Sequence, residues 1–170
     1  MSPIEPQHQH RALERALKAG DLAAIRAVFA GVPGFPNVAD PLTGSPLLQW
    51  ALTVAPASLV YVLLDLGADP DFEAADGFPA LYCAIERDGP ERYDLIAALL
   101  AHGADPGQRG LNDYTPLHVA AERDDVHAIE ILLAHGADRH ARTRIDDHET
   151  PLDLAERRGH ARAAAALRQE

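Results

Sequence analysis

The chain has 170 residues, 47% of them hydrophobic and 24% charged, which is enough for one folded domain of ordinary size. Its formal charge of −11, from 15 basic and 26 acidic residues, argues against bulk binding of nucleic acid. A single cysteine, Cys83, excludes an intrachain disulfide, and no apolar run reaches the roughly 18 residues of a membrane-spanning helix. Residues 1–138 hold eight basic and twenty acidic groups, and residues 139–170 hold seven and six, so the negative charge belongs to the body of the chain. Aromatic residues are only 5%, and small alanine side chains suit closely stacked helices better than a sheet.

Residues 1–10, MSPIEPQHQH, read as a flexible lead. They lack the basic and then apolar order of a secretion signal, so a cytoplasmic protein is expected. The segment RALERALKAGDLAAIRAVFAG that follows predicts two short helices. Next come GSPLLQWAL (44–52) and SLVYVLLDL (58–66), then GFPALYCAI (77–85) and DLIAALLAH (94–102). YTPLHVAA (114–121) and HAIEILLAH (127–135) repeat the same pair, and ETPLDLAE (149–156) opens another.

Each proline opening suits a first helical turn, where the missing N–H is not needed and φ is already set. Leu117 and Ala120 fall on one face of their helix, as do Ile129, Leu132 and Leu133 on the next. The second helices end in Gly-Ala-Asp at 67–69, 103–105 and 136–138, with spacings of 36 and 33 residues, and FAGVPG at 29–34 is a weaker equivalent. Gly136 suits the left-handed residue that ends a helix.

A period near 33 residues, with T-P-L-H-x-A opening one helix and L-L-x-x-G-A-D closing the next, resembles the ankyrin repeat family. The likeness is clear over residues 45–168 and degenerate over 11–44. It implies an all-α solenoid of about five helix-turn-helix units, at 11–44, 45–77, 78–113, 114–148 and 149–170, joined by β-hairpin-like loops in one domain. The polar residues Arg11, Glu14, Arg15 and Lys18 at one end, and Arg158, Arg162 and Arg168 at the other, suit the capping units of such a stack. Three departures stand out. Pro79-Ala80-Leu81-Tyr82 replaces T-P-L-H, about three residues are added within 86–94, and the loop after Asp138 is longer by about two.

Nine histidines raise the question of a metal. His102 and His135 precede equivalent glycines, where a helix C-terminus favours them. For His118 the resemblance implies a hydrogen bond to backbone that orders neighbouring turns. His8 and His10 lie in the lead, and His127 and His160 open second helices. His140, His148 and Asp146 could be drawn as a metal-dependent hydrolase, yet no C-x-x-C or H-E-x-x-H spacing supports one. Cys83 has no histidine near it in sequence, and no phosphate loop, nucleophile elbow or dinucleotide fingerprint is present. No catalysis, cofactor or metal is expected.

The resemblance implies that the chain binds another protein through its concave face and hairpin tips, with no membrane or nucleic acid involved and as a monomer. The positions so implied are Phe72, Asp76, Phe78, Glu86, Arg87, Leu111, Asn112, Tyr114, Glu122, Arg123, Asp146, Glu149, Arg157 and Arg158. Phe78 and Tyr114 are the leading pair, expected as adjacent aromatics on an exposed ridge. Trp50 is expected to end or interrupt its helix, and to lie in the core or half-buried or else serve as another anchor. The loop at 65–76, with five acids and Phe72, suits a partner with a basic surface. An alanine- and arginine-rich composition with one lysine points to a bacterial coding sequence. The expected role is then an adaptor or regulator, with an immunity or antitoxin-type inhibitor as the alternative.

Overall fold

The computed structural model describes residues 6–72, 77–144 and 148–169. Ten α-helices and no strand are found among them. They come in five pairs: α1 (Pro6–Ala19) with α2 (Leu22–Val28), α3 (Leu47–Val54) with α4 (Ala57–Asp65), α5 (Ala80–Glu86) with α6 (Glu91–Ala101), α7 (Pro116–Glu122) with α8 (Val126–Ala134), and α9 (Pro151–Arg158) with α10 (Ala161–Arg168). Each first helix from α1 to α9 packs on the next first helix, and α4, α6, α8 and α10 pack in a second row. The α1 helix starts at Pro6, so residues 6–10 of the expected lead are helical.

Helices this short are marginal alone, because nucleation is costly and each adds few hydrogen bonds. They persist here through burial between the two rows. Leu52, Leu63, Ile85, Leu95, Leu99, Leu117, Ile129, Leu132 and Leu154 are all fully buried. One column of alanines, Ala51, Ala84, Ala120 and Ala155, occupies the same turn of α3, α5, α7 and α9 at 0% exposure. The small side chain at this slot sets how closely neighbouring first helices approach. The about three additional residues between α5 and α6 are taken up by the turn at 87–90 and by a longer α6, leaving the stacking intact.

The helix ends follow a shared plan. In α9, Thr150 Oγ1 accepts from the Asp153 N–H at 3.1 Å, and Asp153 Oδ2 accepts from the Thr150 N–H at 2.9 Å. In α7 the same offset pairs Thr115 with His118, whose Nδ1 accepts from the Thr115 N–H at 3.2 Å. The His118 Nε2 then donates to the Glu149 carbonyl at 3.0 Å, reaching the following unit. These two bonds require the neutral imidazole with its proton on Nε2. The role that the resemblance implies for His118 is therefore realised in the geometry. Gly67, Gly103 and Gly136 sit at φ 87, 94 and 85°, so the second helices of three pairs end in the same left-handed turn.

The connections carry short hydrogen-bonded stems. Ala39 and Pro46 form an isolated antiparallel bridge, the Gly110 N–H donates to Tyr114 O at 2.9 Å, and the Thr143 N–H donates to Glu149 O at 3.0 Å. The stems also touch one another, since the Leu111 N–H donates to Gly77 O at 2.9 Å. Gly110 permits this approach, because a Cβ there would stand 2.7 Å from both Gly77 O and Pro79 Cδ. A turn of 3-10 helix, Leu111–Asp113, forms the adjoining tip.

Two outcomes are expected. Ala120→Leu should overfill the helix row and cost about 1–3 kcal/mol in urea unfolding. Burial is the leading reason that the His118 imidazole titrates below its ordinary 6.5. The unfolded chain therefore takes up that proton first, and the contribution of His118, complete above about pH 6.5, is lost as pH falls below it. The drop in stability between pH 7.5 and 5.5 (about one unit either side of that value) should shrink in His118→Gln.

Candidate protein-binding surface

The positions implied for binding divide into several environments. Phe78 and Tyr114 are half-buried, where an exposed ridge was expected. Phe78 meets Tyr82 edge-on with ring centroids 5.4 Å apart, and Tyr114 stacks on His118 at 5.4 Å. The reason is local: each follows a hairpin stem directly into the first helix, and its ring folds back over the helix it precedes. Leu111 is 45% exposed at the 3-10 tip, beside Asn112, which takes a left-handed conformation at φ 56°. Phe72 is half-buried, while Asp76 and Asp146 lie outside the described residues.

The charged positions interlock from unit to unit. Arg123 pairs with Glu86 at 3.0 Å, Arg158 pairs with Glu122, and Arg157 pairs with Glu149. These are the exposed ends of the first helices, two units being joined in each of the first two pairs. Arg87 departs from this pattern although it occupies the same slot as Arg123. Its Nη1 donates to Leu52 O at 2.7 Å and its Nη2 to Ala55 O at 2.8 Å, closing the C-terminal end of α3. Only 13% of its side chain is exposed, and Nη2 also stands 3.7 Å from Glu91 Oε1.

A groove of about 420 Å³ runs between α3 and α5, lined by Ser45, Gln49, Trp50, Thr53, Phe78, Tyr82, Cys83 and Glu86. Trp50 lies inside α3, which it neither ends nor interrupts, with His10 stacked on its ring at 4.8 Å. His10 in turn bonds Asp40 through Nδ1 at 3.0 Å, which secures α1 against this edge. Gln49 stands at the α3 position that His118 holds in α7, three residues after the cap. Like His118 it reaches the next hairpin, donating from Nε2 to Phe72 O at 2.7 Å. The cap residue before it is Pro46, which has no N–H to offer, so the buried Gln49 Oε1 has no partner.

Sequence reasoning missed Gln49, Thr53 and Tyr82 as residues lining the groove. A polar residue inside the apolar run LLQWAL is a signal for Gln49. It also missed a buried tie between second helices. Asp125 caps α8 through the Ala128 N–H at 3.2 Å and accepts from Arg92 Nη2 at 2.7 Å and from the Tyr93 hydroxyl at 3.1 Å. Burial opposes ionisation of Asp125, yet the bonds from Arg92 prevail and hold its carboxyl below the ordinary carboxylate value.

The remaining chemistry is structural in placement. His102 and His135 each bond the carbonyl four residues earlier at 2.8 Å, and His148 bonds Thr143 O at 2.9 Å. Among the described residues no three His, Cys, Asp or Glu side chains are grouped to hold a metal ion, and no helix is long and apolar enough to cross a membrane.

Paired short helices, a T-P opening capped by His118 or Asp153, and a left-handed glycine closing the second helix now stand together on one chain. Residues 91–170 match the family model described as ankyrin repeats, in three copies. Residues 91–170 carry ankyrin repeats. No curated protein matches it. Ankyrin repeats are in general protein–protein interaction modules.

The two kinds of arginine should separate in unfolding experiments. Glu86→Gln and Glu122→Gln are each expected to cost less than about 1 kcal/mol, because exposed ion pairs contribute little. Arg87→Met should cost about 2 kcal/mol or more, since it strips charge-assisted bonds from buried carbonyls.

Proposed function

We propose that this protein is a non-enzymatic module that holds a partner protein against its first-helix row and hairpin tips. In this reading all five helix pairs are ankyrin units of one solenoid over residues 11–170, with hairpin-like connections and the row of first helices as the concave side. The observation that carries it is the gathering of Trp50, Phe78 and Tyr82 on one apolar groove of that row. Aromatic side chains on a preordered surface are favoured anchors, and rigidity lowers the ordering cost of association. Leu111, Asn112 and Tyr114 extend the surface across the next tip, with Glu86, Glu122, Arg123, Arg157 and Arg158 as a polar rim. Phe72 and Glu149 flank it at two of the connections.

The net charge of −11 suits a partner with a basic surface, approached by electrostatic steering. The protein acts as a monomeric cytoplasmic adaptor or regulator of bacterial type. The same charge favours a second reading, in which it occludes a basic toxin or effector as an immunity protein. Affinity capture from the native cell followed by mass spectrometry decides between them. One stoichiometric toxin supports the second reading, and several unrelated clients support the first. Leu111→Asp combined with Tyr114→Ala should reduce capture at least several-fold, whereas Glu130→Ala on the second-helix row should leave it intact. Equal capture by both variants would remove the first-helix row as the binding face.

A further inference from the structure

The groove between α3 and α5 has a chemistry of its own. Three of its walls are aromatic, from Trp50, Phe78 and Tyr82, and its rim carries the Glu86 carboxylate. No lysine, arginine or histidine lines it. Two arginines stand close by: Arg87 bonds the carbonyls of Leu52 and Ala55, and Arg123 pairs from the next unit with Glu86 itself, so an incoming cation shares that carboxylate or displaces Arg123. Gln49, at 4% exposure, contributes a buried carbonyl oxygen that finds no donor among the described residues. Burial is the first cause that raises the Tyr82 phenol above its ordinary value, and the charges of Glu86 and Glu122 add to it.

An occupant that satisfies these walls must be flat, apolar along its length, positively charged and rich in donors. We propose that the groove receives an arginine side chain from a basic segment of the partner, its guanidinium lying against the aromatic walls and pairing with Glu86. This rests on the protein-binding reading above and specifies what that face selects. Arginine suits the groove better than lysine, because a guanidinium stacks on aromatic faces and is more weakly hydrated than an ammonium, so the apolar walls cost it less. A leucine or phenylalanine would fill the same volume but would leave Glu86 and the Gln49 oxygen without a gain. The overall charge of −11 complements a partner segment that carries such a residue.

The test uses the full chain and three short peptides, acetyl-Gly-Arg-Gly-amide and its lysine and leucine counterparts. The protein has one tryptophan, so the Trp50 indole N–H gives a single, assignable NMR signal on the groove wall. The arginine peptide should shift that signal saturably in the millimolar range, and the lysine and leucine peptides should do so several-fold more weakly. Glu86→Gln should weaken the response, and Arg123→Ala, which releases Glu86 from its ion pair, should strengthen it. That strengthening is a result that a merely structural role for the pair would not give. No shift with the arginine peptide, an equal shift with lysine or leucine, or a weaker response in Arg123→Ala would overturn the proposal. Partner capture that still depends on Leu111 and Tyr114 would in that event leave the protein-binding reading standing.

Discussion

The structure depends on one constraint: a pair of seven- to fourteen-residue helices cannot bury its apolar surface or satisfy its ends without a neighbour. The fully buried leucines and isoleucines lie between the two helix rows, where each pair closes over the next. The alanine column at Ala51, Ala84, Ala120 and Ala155 lets the first helices approach closely enough for that closure. Stability is thereby distributed over successive interfaces, and each interface needs its own polar register.

That register is set by groups that leave their own unit. His118 reaches Glu149, Gln49 reaches Phe72, and Arg87 reaches the last carbonyls of α3. Asp125 performs the same office in the second row, tying Arg92 and Tyr93 of α6 to the start of α8. Buried donors and acceptors satisfied this way penalise any slip of one unit against another, because a slip would orphan them. The exposed pairs Arg123–Glu86 and Arg158–Glu122 follow the same unit-to-unit geometry but weigh less, since water screens them.

Departures from the repeat are where the surface acquires individuality. Threonine at the cap of α7 and α9 gives way to proline at the caps of α3 and α5. With no N–H at Pro46, the Gln49 oxygen stays without a donor, and the position equivalent to His118 in α5 is filled by Tyr82. Both replacements fall on the α3–α5 groove, together with Trp50 from α3 and Phe78 from the adjoining stem. The regular units at 116–168 have no comparable gathering of aromatics, so the aromatic surface is concentrated where the motif is weakest.

The repeat period, the helix openings and the left-handed glycines at 67, 103 and 136 were legible in the chain, because they are local and recur at a fixed spacing. The resemblance on those residues carried the fold class and the kind of surface. What the chain could not reveal is which side chains cross between units. Arg87 and Arg123 occupy one slot in the pattern, yet one guanidinium closes a helix end and the other meets a carboxylate in water. Phe78 and Tyr114 read as exposed and are half-covered by their own helices. The two arginine outcomes depend on contacts between residues 32 to 37 positions apart. Periodicity determines what each unit is made of, and only the stacking of units decides what each side chain touches.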